Sequence, residues 1–144
     1  MTSIFFNDLD TKSSLLHKRK FKDFIANIFR DENRWLERVD IIFCSDAYLL
    51  DLNKKFLNHN FYTDTLTFVL SKANEPLLGE VYISIDRIKA NSIDFRDTYQ
   101  NELARVVIHG CLHLCGYEDK PTNQALMIKR QEEYLINWFV SRET

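Results

Sequence analysis

Glycine and proline are scarce in this chain, with three glycines and two prolines among 144 residues. That scarcity excludes a linker-rich, collagenous or low-complexity architecture. There are only three cysteines, an odd number without the spacing of an extracellular disulfide framework, so a reducing compartment is expected. No stretch approaches the roughly 20 consecutive apolar residues that span a bilayer. The first residues, MTSIFFNDLDTKSS, lack the basic start and long apolar run of a secretion signal. The expectation is a cytoplasmic chain with no membrane partner. An excess of positive charge is missing too, since 19 Lys and Arg face 21 Asp and Glu. No global basic field advertises a nucleic acid, although a local basic rim or a bound divalent cation changes the field at a site.

What the chain does have is apolar and aromatic bulk. Hydrophobic residues make up 45%, with eleven phenylalanines, which is enough for one sizeable core at this length. A single domain over residues 1–144 is expected.

Periodicity sets the order of elements. Ile4 to Phe6 suits a short strand, and Leu15, Leu16, Phe21, Phe24, Ile25, Ile28 and Phe29 recur at helical spacing from about Ser13. The interleaved His17, Lys18, Arg19, Lys20 and Lys22 read as a solvated outer face, with phosphate contact as the minority alternative. Val39 to Cys44 is a β-branched and aromatic run that suits a buried strand. Ser45 is placed to cap a helix across Ala47 to Phe56. Thr65 to Leu70 reads as another strand. After a loop holding Pro76 comes Val81 to Ile85, whose alternation with Tyr82 and Ser84 implies two differently covered faces. Asp86 suits the cap of a short helix through Ala90, and further helices are expected over Thr98 to Leu114 and from Pro121 to about Val140. This order predicts an α/β (α+β) fold, a small mixed sheet packed with several helices.

The chemistry concentrates in Arg105 to Lys120, RVVIHGCLHLCGYEDK. His109 and His113 stand four residues apart in an apolar helical run, so their side chains share a face one turn apart. Two imidazoles so placed can reach one ion at the roughly 2.0–2.1 Å of a zinc–nitrogen bond. Gly116 stops the helix, and the carboxylates of Glu118 and Asp119 follow, either of them placed to complete an open, water-activating site of three ligands. Cys111 and Cys115 repeat the same spacing, but each lies about 200° around the helix from a histidine. They read, with Cys44, as core residues. In the His-Glu-x-x-His helix of zinc proteases the Glu is the general base; Gly110 stands there, which argues against a protease.

His-Gly-Cys-Leu-His-Leu-Cys-Gly-Tyr-Glu-Asp (109–119) resembles the motif of the YbeY family, His-Gly-x-Leu-His-Leu-x-Gly-Tyr-Asp-His. Leu52-Asn53, Thr63-Asp64-Thr65-Leu66-Thr67-Phe68, Leu78-Gly79-Glu80-Val81, Ile83-Ser84 and Glu102-Leu103 are similar to further family segments in the same order. The resemblance implies a metal-dependent endoribonuclease specific for single strands, acting in ribosomal RNA maturation and ribosome quality control. It implies one divalent ion, zinc or a harder ion such as manganese, at the end of a central helix. Its partners would be single-stranded ribosomal RNA and the ribosome or ribosomal proteins, with the chain itself a monomer. The family's third ligand is a histidine ten positions after the first, and Asp119 stands there, so the implied set is His109, His113 and Asp119. The family's substrate-facing arginine aligns with Leu57, which leaves His59, Lys54, Lys55 or Lys120 to substitute. Glu118 is the nearest candidate for proton transfer. Asp64 and Glu80 are candidates to orient neighbouring groups, Asp64 on the substrate side. A ribosome-assembly or RNA-binding factor with a structural ion is the non-enzymatic alternative.

Overall fold

Alternation along two adjacent strands decides how the sheet is covered. Val39, Ile41 and Phe43 of β2 (Leu36–Cys44) and Val81 and Ile83 of β4 (Leu77–Ser84) are fully buried on one face. That face joins Phe21, Ile25 and Phe29 of α1 (Lys18–Asp31) and Leu103, Val107 and Cys111 of α4 (Tyr99–Leu114) in the main core. On the other face Leu66 and Phe68 of β3 (Thr65–Val69) and Tyr82 pack with Leu49 and Leu52 of α2 (Asp46–Leu57). The computed structural model describes residues 3–57 and 63–143. With β1 (Ile4–Asp8), the strands form one sheet of order β1-β2-β4-β3. β1, β2 and β4 run parallel and β3 runs antiparallel to β4. Helices α3 (Ile85–Asp94) and α5 (Pro121–Arg142) complete the α/β fold. No described helix is long and apolar enough to cross a membrane.

Several elements start elsewhere than the periodicity predicts. Helix α1 begins at Lys18, not near Ser13, because Ser14 and His17 hold positive φ and the segment before the helix is tied down instead. The Ser13 N–H donates to Asp8 and its carbonyl accepts from the Tyr99 hydroxyl. Strand β4 starts four residues early, at Leu77, whose N–H donates to the Trp35 carbonyl at 2.7 Å. Ser45 accepts from the Tyr48 N–H as expected. The α3 cap is Ser84, accepting from Arg87 N–H, while the Asp86 carboxylate accepts from the Asp46 N–H at the head of α2.

Helix α4 is the buried axis of the fold, touching β3, β4, α1, α3 and α5. Its approach to the sheet depends on Gly110, where an added Cβ would lie 2.5 Å from Val81 Cγ1. Val81 is fully buried and stiff at χ1, so it has little room to yield. Alanine would gain about 1 kcal/mol of helix propensity. Overpacking of this severity costs about 1–3 kcal/mol. Gly110→Ala is therefore expected to lower the urea midpoint of unfolding; an unchanged or raised midpoint would show that α4 can move off the sheet freely.

Candidate metal centre

The helix bearing both histidines ends in a hydrogen-bonded turn that its sequence dictates. Gly116 adopts φ 109°, a conformation open to glycine. Its N–H donates to His113 O and the Tyr117 N–H to Leu112 O, the paired bonds of a Schellman ending. The chain reverses there and brings Asp119 back over the last turn of α4. Two side chains of the α1–β2 turn hold this reversal. Arg34 donates to the Cys115 carbonyl through Nε and Nη2, at 3.0 and 2.6 Å. Glu32 accepts from the Tyr117 hydroxyl at 2.7 Å and from Tyr134 and Arg130. Burial pushes the Glu32 carboxyl up, but the hydrogen bonds from Tyr134, Arg130 and Tyr117 outweigh it and hold it below the usual carboxylate range.

The proton positions on the two imidazoles follow from their neighbours. His113 Nδ1 lies 2.9 Å from the Tyr117 carbonyl, which can only accept, so that nitrogen carries the hydrogen. His109 Nδ1 lies 2.7 Å from Gln131 Oε1. The Gln131 amide is oriented by its own Nε2, which donates to Glu132 at 3.0 Å, and Glu132 in turn pairs with Arg105. Both Nε2 atoms are thereby left as bare lone pairs, 3.0 Å apart. Asp119 Oδ2 stands 3.2 Å from His113 Nε2. The three ligand atoms lie within 4.8 Å of one another. Ligands around a tetrahedral zinc ion stand about 3.3 Å apart, from bonds of about 2.0–2.1 Å. Two acceptor nitrogens and a carboxylate at such spacing fit one shared cation.

A cleft of about 430 Å³ opens on this cluster. Glu118 and Asp64 line it, with Thr63, Thr65, Thr67 and Leu57. No Lys or Arg does among the described residues, so the position aligned with the family's arginine remains apolar. Lys120 lies outside this lining and pairs with Glu118 at 2.8 Å, which lowers the Glu118 pKa through that hydrogen bond. Lys55 pairs with Asp51 at 3.1 Å on α2, and Lys54 is exposed on the same helix. Glu80 accepts from the Tyr82 hydroxyl on β4. His59 lies outside the described residues. All three cysteines are free and buried. Burial pushes Cys44 and Cys115 up to about 12 and Cys111 well above its ordinary value, as apolar packing requires.

The partners that aim the histidines, Gln131 and the Tyr117 carbonyl, were not among the residues read from the sequence. Gln131 is 22 positions from His109, and a carbonyl leaves no trace in residue type. Only the wide apolar spacing of α5 hints that one of its polar residues turns inward, and Gln131 is indeed buried.

A mixed sheet, a buried helix presenting two imidazoles and a carboxylate beyond its glycine turn define a small α/β protein with a metallohydrolase type of site. The sequence model of the family described as Endoribonuclease YbeY matches residues 6–138. "Endoribonuclease YbeY" of Karelsulcia muelleri is 42% identical over 128 residues, covering 88% of this chain and 90% of that protein. The protein of the same name from Cytophaga hutchinsonii is 39% identical over 131 residues, covering 91% and 92%. The solution structure of TM1509 from Thermotoga maritima superposes with a TM-score of 0.66 at 31% identity, covering 92% of this chain and 86% of that one. The chain belongs to the YbeY endoribonuclease family.

Proposed function

We propose that the chain cleaves phosphodiester bonds inside single-stranded ribosomal RNA, in the maturation of the small-subunit RNA 3′ end and in ribosome quality control. Membership of an endoribonuclease family makes it an RNA-cleaving hydrolase, and the finer reading rests on the metal centre. The observation that carries it is the pair of Nε2 atoms 3.0 Å apart with the Asp119 carboxylate beside them. His109, His113 and Asp119 would hold one divalent ion, zinc in this reading, with manganese favoured more by the carboxylate than by a third imidazole. When bound, the ion supplies Lewis-acid activation of a water and of a phosphoryl oxygen.

The chain's own residues do the rest. Gln131 and the Tyr117 carbonyl fix the tautomer and the aim of the two imidazoles. Glu118 lines the same cleft and is assigned proton transfer on position alone. Asp64 and the threonines of β3 bound the space a sugar–phosphate would fill, Lys54, Lys55 and Lys120 are assigned to the strand outside it, and His59 is assigned the catalytic task of stabilising phosphate charge in place of the family's arginine. Gly110 offers no carboxylate of the protease kind. The reading takes residues 1–144 as one domain, a cytoplasmic monomer working on the ribosome or its proteins.

The test is cleavage of one 5′-labelled RNA presented as a single strand and as a duplex with its complement. Internal cuts in the single strand with the duplex intact are expected. An uncut single strand beside cleaved peptide, or no cleavage at all by zinc- or manganese-loaded protein, would overturn the reading.

A further inference from the structure

The cleft over the metal centre is short of positive charge, yet an RNA strand passing through it carries a phosphate at every step. Its described lining holds Asp64, Glu118 and Asp119 and no cation. A second cleft, on the side of His109, is lined by Arg105, but that guanidinium is engaged by Asp97, Glu102 and Glu132. Its charge is spent within the protein.

The third cleft differs. It measures about 460 Å³ and runs from His113 between the α1–β2 turn and the β3–β4 hairpin. His113 lines both this cleft and the one over the metal centre, so the two adjoin at that side chain. Arg34 and Lys72 line its walls, and neither makes an ion pair among the described residues. The Arg34 guanidinium is seated on the Cys115 carbonyl, which leaves its charge at the end of α4. The hairpin's own carboxylate, Glu75, accepts from the Lys72 backbone N–H. The same cleft is lined by Trp35, 78% exposed. Its backbone is fixed, since its carbonyl accepts from Leu77 N–H, and its large ring stands in water in a cleft that His113 also lines.

We propose that this cleft is a nucleotide subsite in which Trp35 stacks an unpaired base of the RNA, while Lys72 and Arg34 meet the adjoining phosphates. The chemistry is that of single-strand binding generally: an aromatic platform that accepts any base, set in a cationic groove that follows the backbone. A paired base has no free face to offer, so the subsite also selects unpaired RNA. The assignment rests on the endoribonuclease reading above and names where its strand leaves the metal centre.

The test uses metal-loaded protein and a labelled single-stranded oligouridylate. Trp35→Leu removes an exposed ring and leaves the backbone anchor, so folding is preserved. It is expected to raise KM about tenfold, within the range alanine substitution gives for base stacking, with kcat reduced less than threefold. Trp35→Phe should restore most of the loss. Mixing wild type with the RNA should quench tryptophan fluorescence, and Trp35→Leu, which keeps only the buried Trp138, should show no quench. An oligomer of abasic sugar–phosphate should not quench. Lys72→Gln should flatten the dependence of log KM on log salt by about 0.7, one phosphate contact on a single strand. Cleavage by wild type with KM unchanged in Trp35→Leu, or without a quench, overturns the subsite and leaves the nuclease reading standing. Absence of cleavage by wild type overturns both.

Discussion

Replacing His113 with alanine is expected to strip the protein of its divalent ion and of RNA cleavage while leaving it folded. His113 Nε2 lies between the other two ligand atoms, 3.0 Å from His109 Nε2 and 3.2 Å from Asp119 Oδ2. Its loss leaves two groups on separate elements to hold the ion. Removing even an outer partner of a ligand costs about 10–100-fold in metal affinity or activity. Losing the central ligand should cost more than about 100-fold. The fold should survive because the ring borders the cleft at the end of α4 and makes one bond to the turn, with the Tyr117 carbonyl, while the Schellman pair and the anchors from Arg34 and Glu32 stay in place without it. The measurement is metal content of dialysed protein, with circular dichroism alongside. A folded variant keeping one ion per chain would remove His113 from the ligand set.

Asp119 should separate into two outcomes according to what replaces it. Asp119→Ala leaves two ligands and should release the ion nearly as completely as His113→Ala. Asp119→His restores an imidazole where the family pattern has one and should retain the ion. A carboxylate places a negative charge beside the ion and is a harder donor than imidazole. The swap should therefore shift preference from manganese toward zinc, read by competition between the two ions for the same protein. Asp119 is 69% exposed at its side chain, so neither change disturbs the core. Retention of the ion in Asp119→Ala together with unchanged preference in Asp119→His would show that the third ligand lies elsewhere.

Much of this site was legible because its geometry is local. The i, i+4 histidines, the stop at Gly116 and the carboxylate just beyond it are set by helix pitch and one left-handed residue. The core strands were equally plain, since Val39, Ile41, Phe43, Val81 and Ile83 alternate with residues of the other face. What stayed hidden depends on contacts between distant segments. The start of α1 is fixed by Tyr99 and Asp8, and the early start of β4 by the Trp35 carbonyl. The tautomers of the histidines rest on Gln131, from another helix, and on a backbone oxygen. Arg34 offers no motif, yet it holds the turn that carries Asp119 into place. Local rules name the candidate ligands; tertiary contacts aim them.

The most direct measurement is a crystal structure of the metal-loaded protein with an anomalous difference map at the metal's absorption edge. The account predicts a single peak per chain, bonded to His109 Nε2, His113 Nε2 and an Asp119 oxygen at about 2.0–2.2 Å, with its remaining position held by solvent. A peak bonded to a cysteine sulfur, or one closed by a fourth protein ligand, would contradict it.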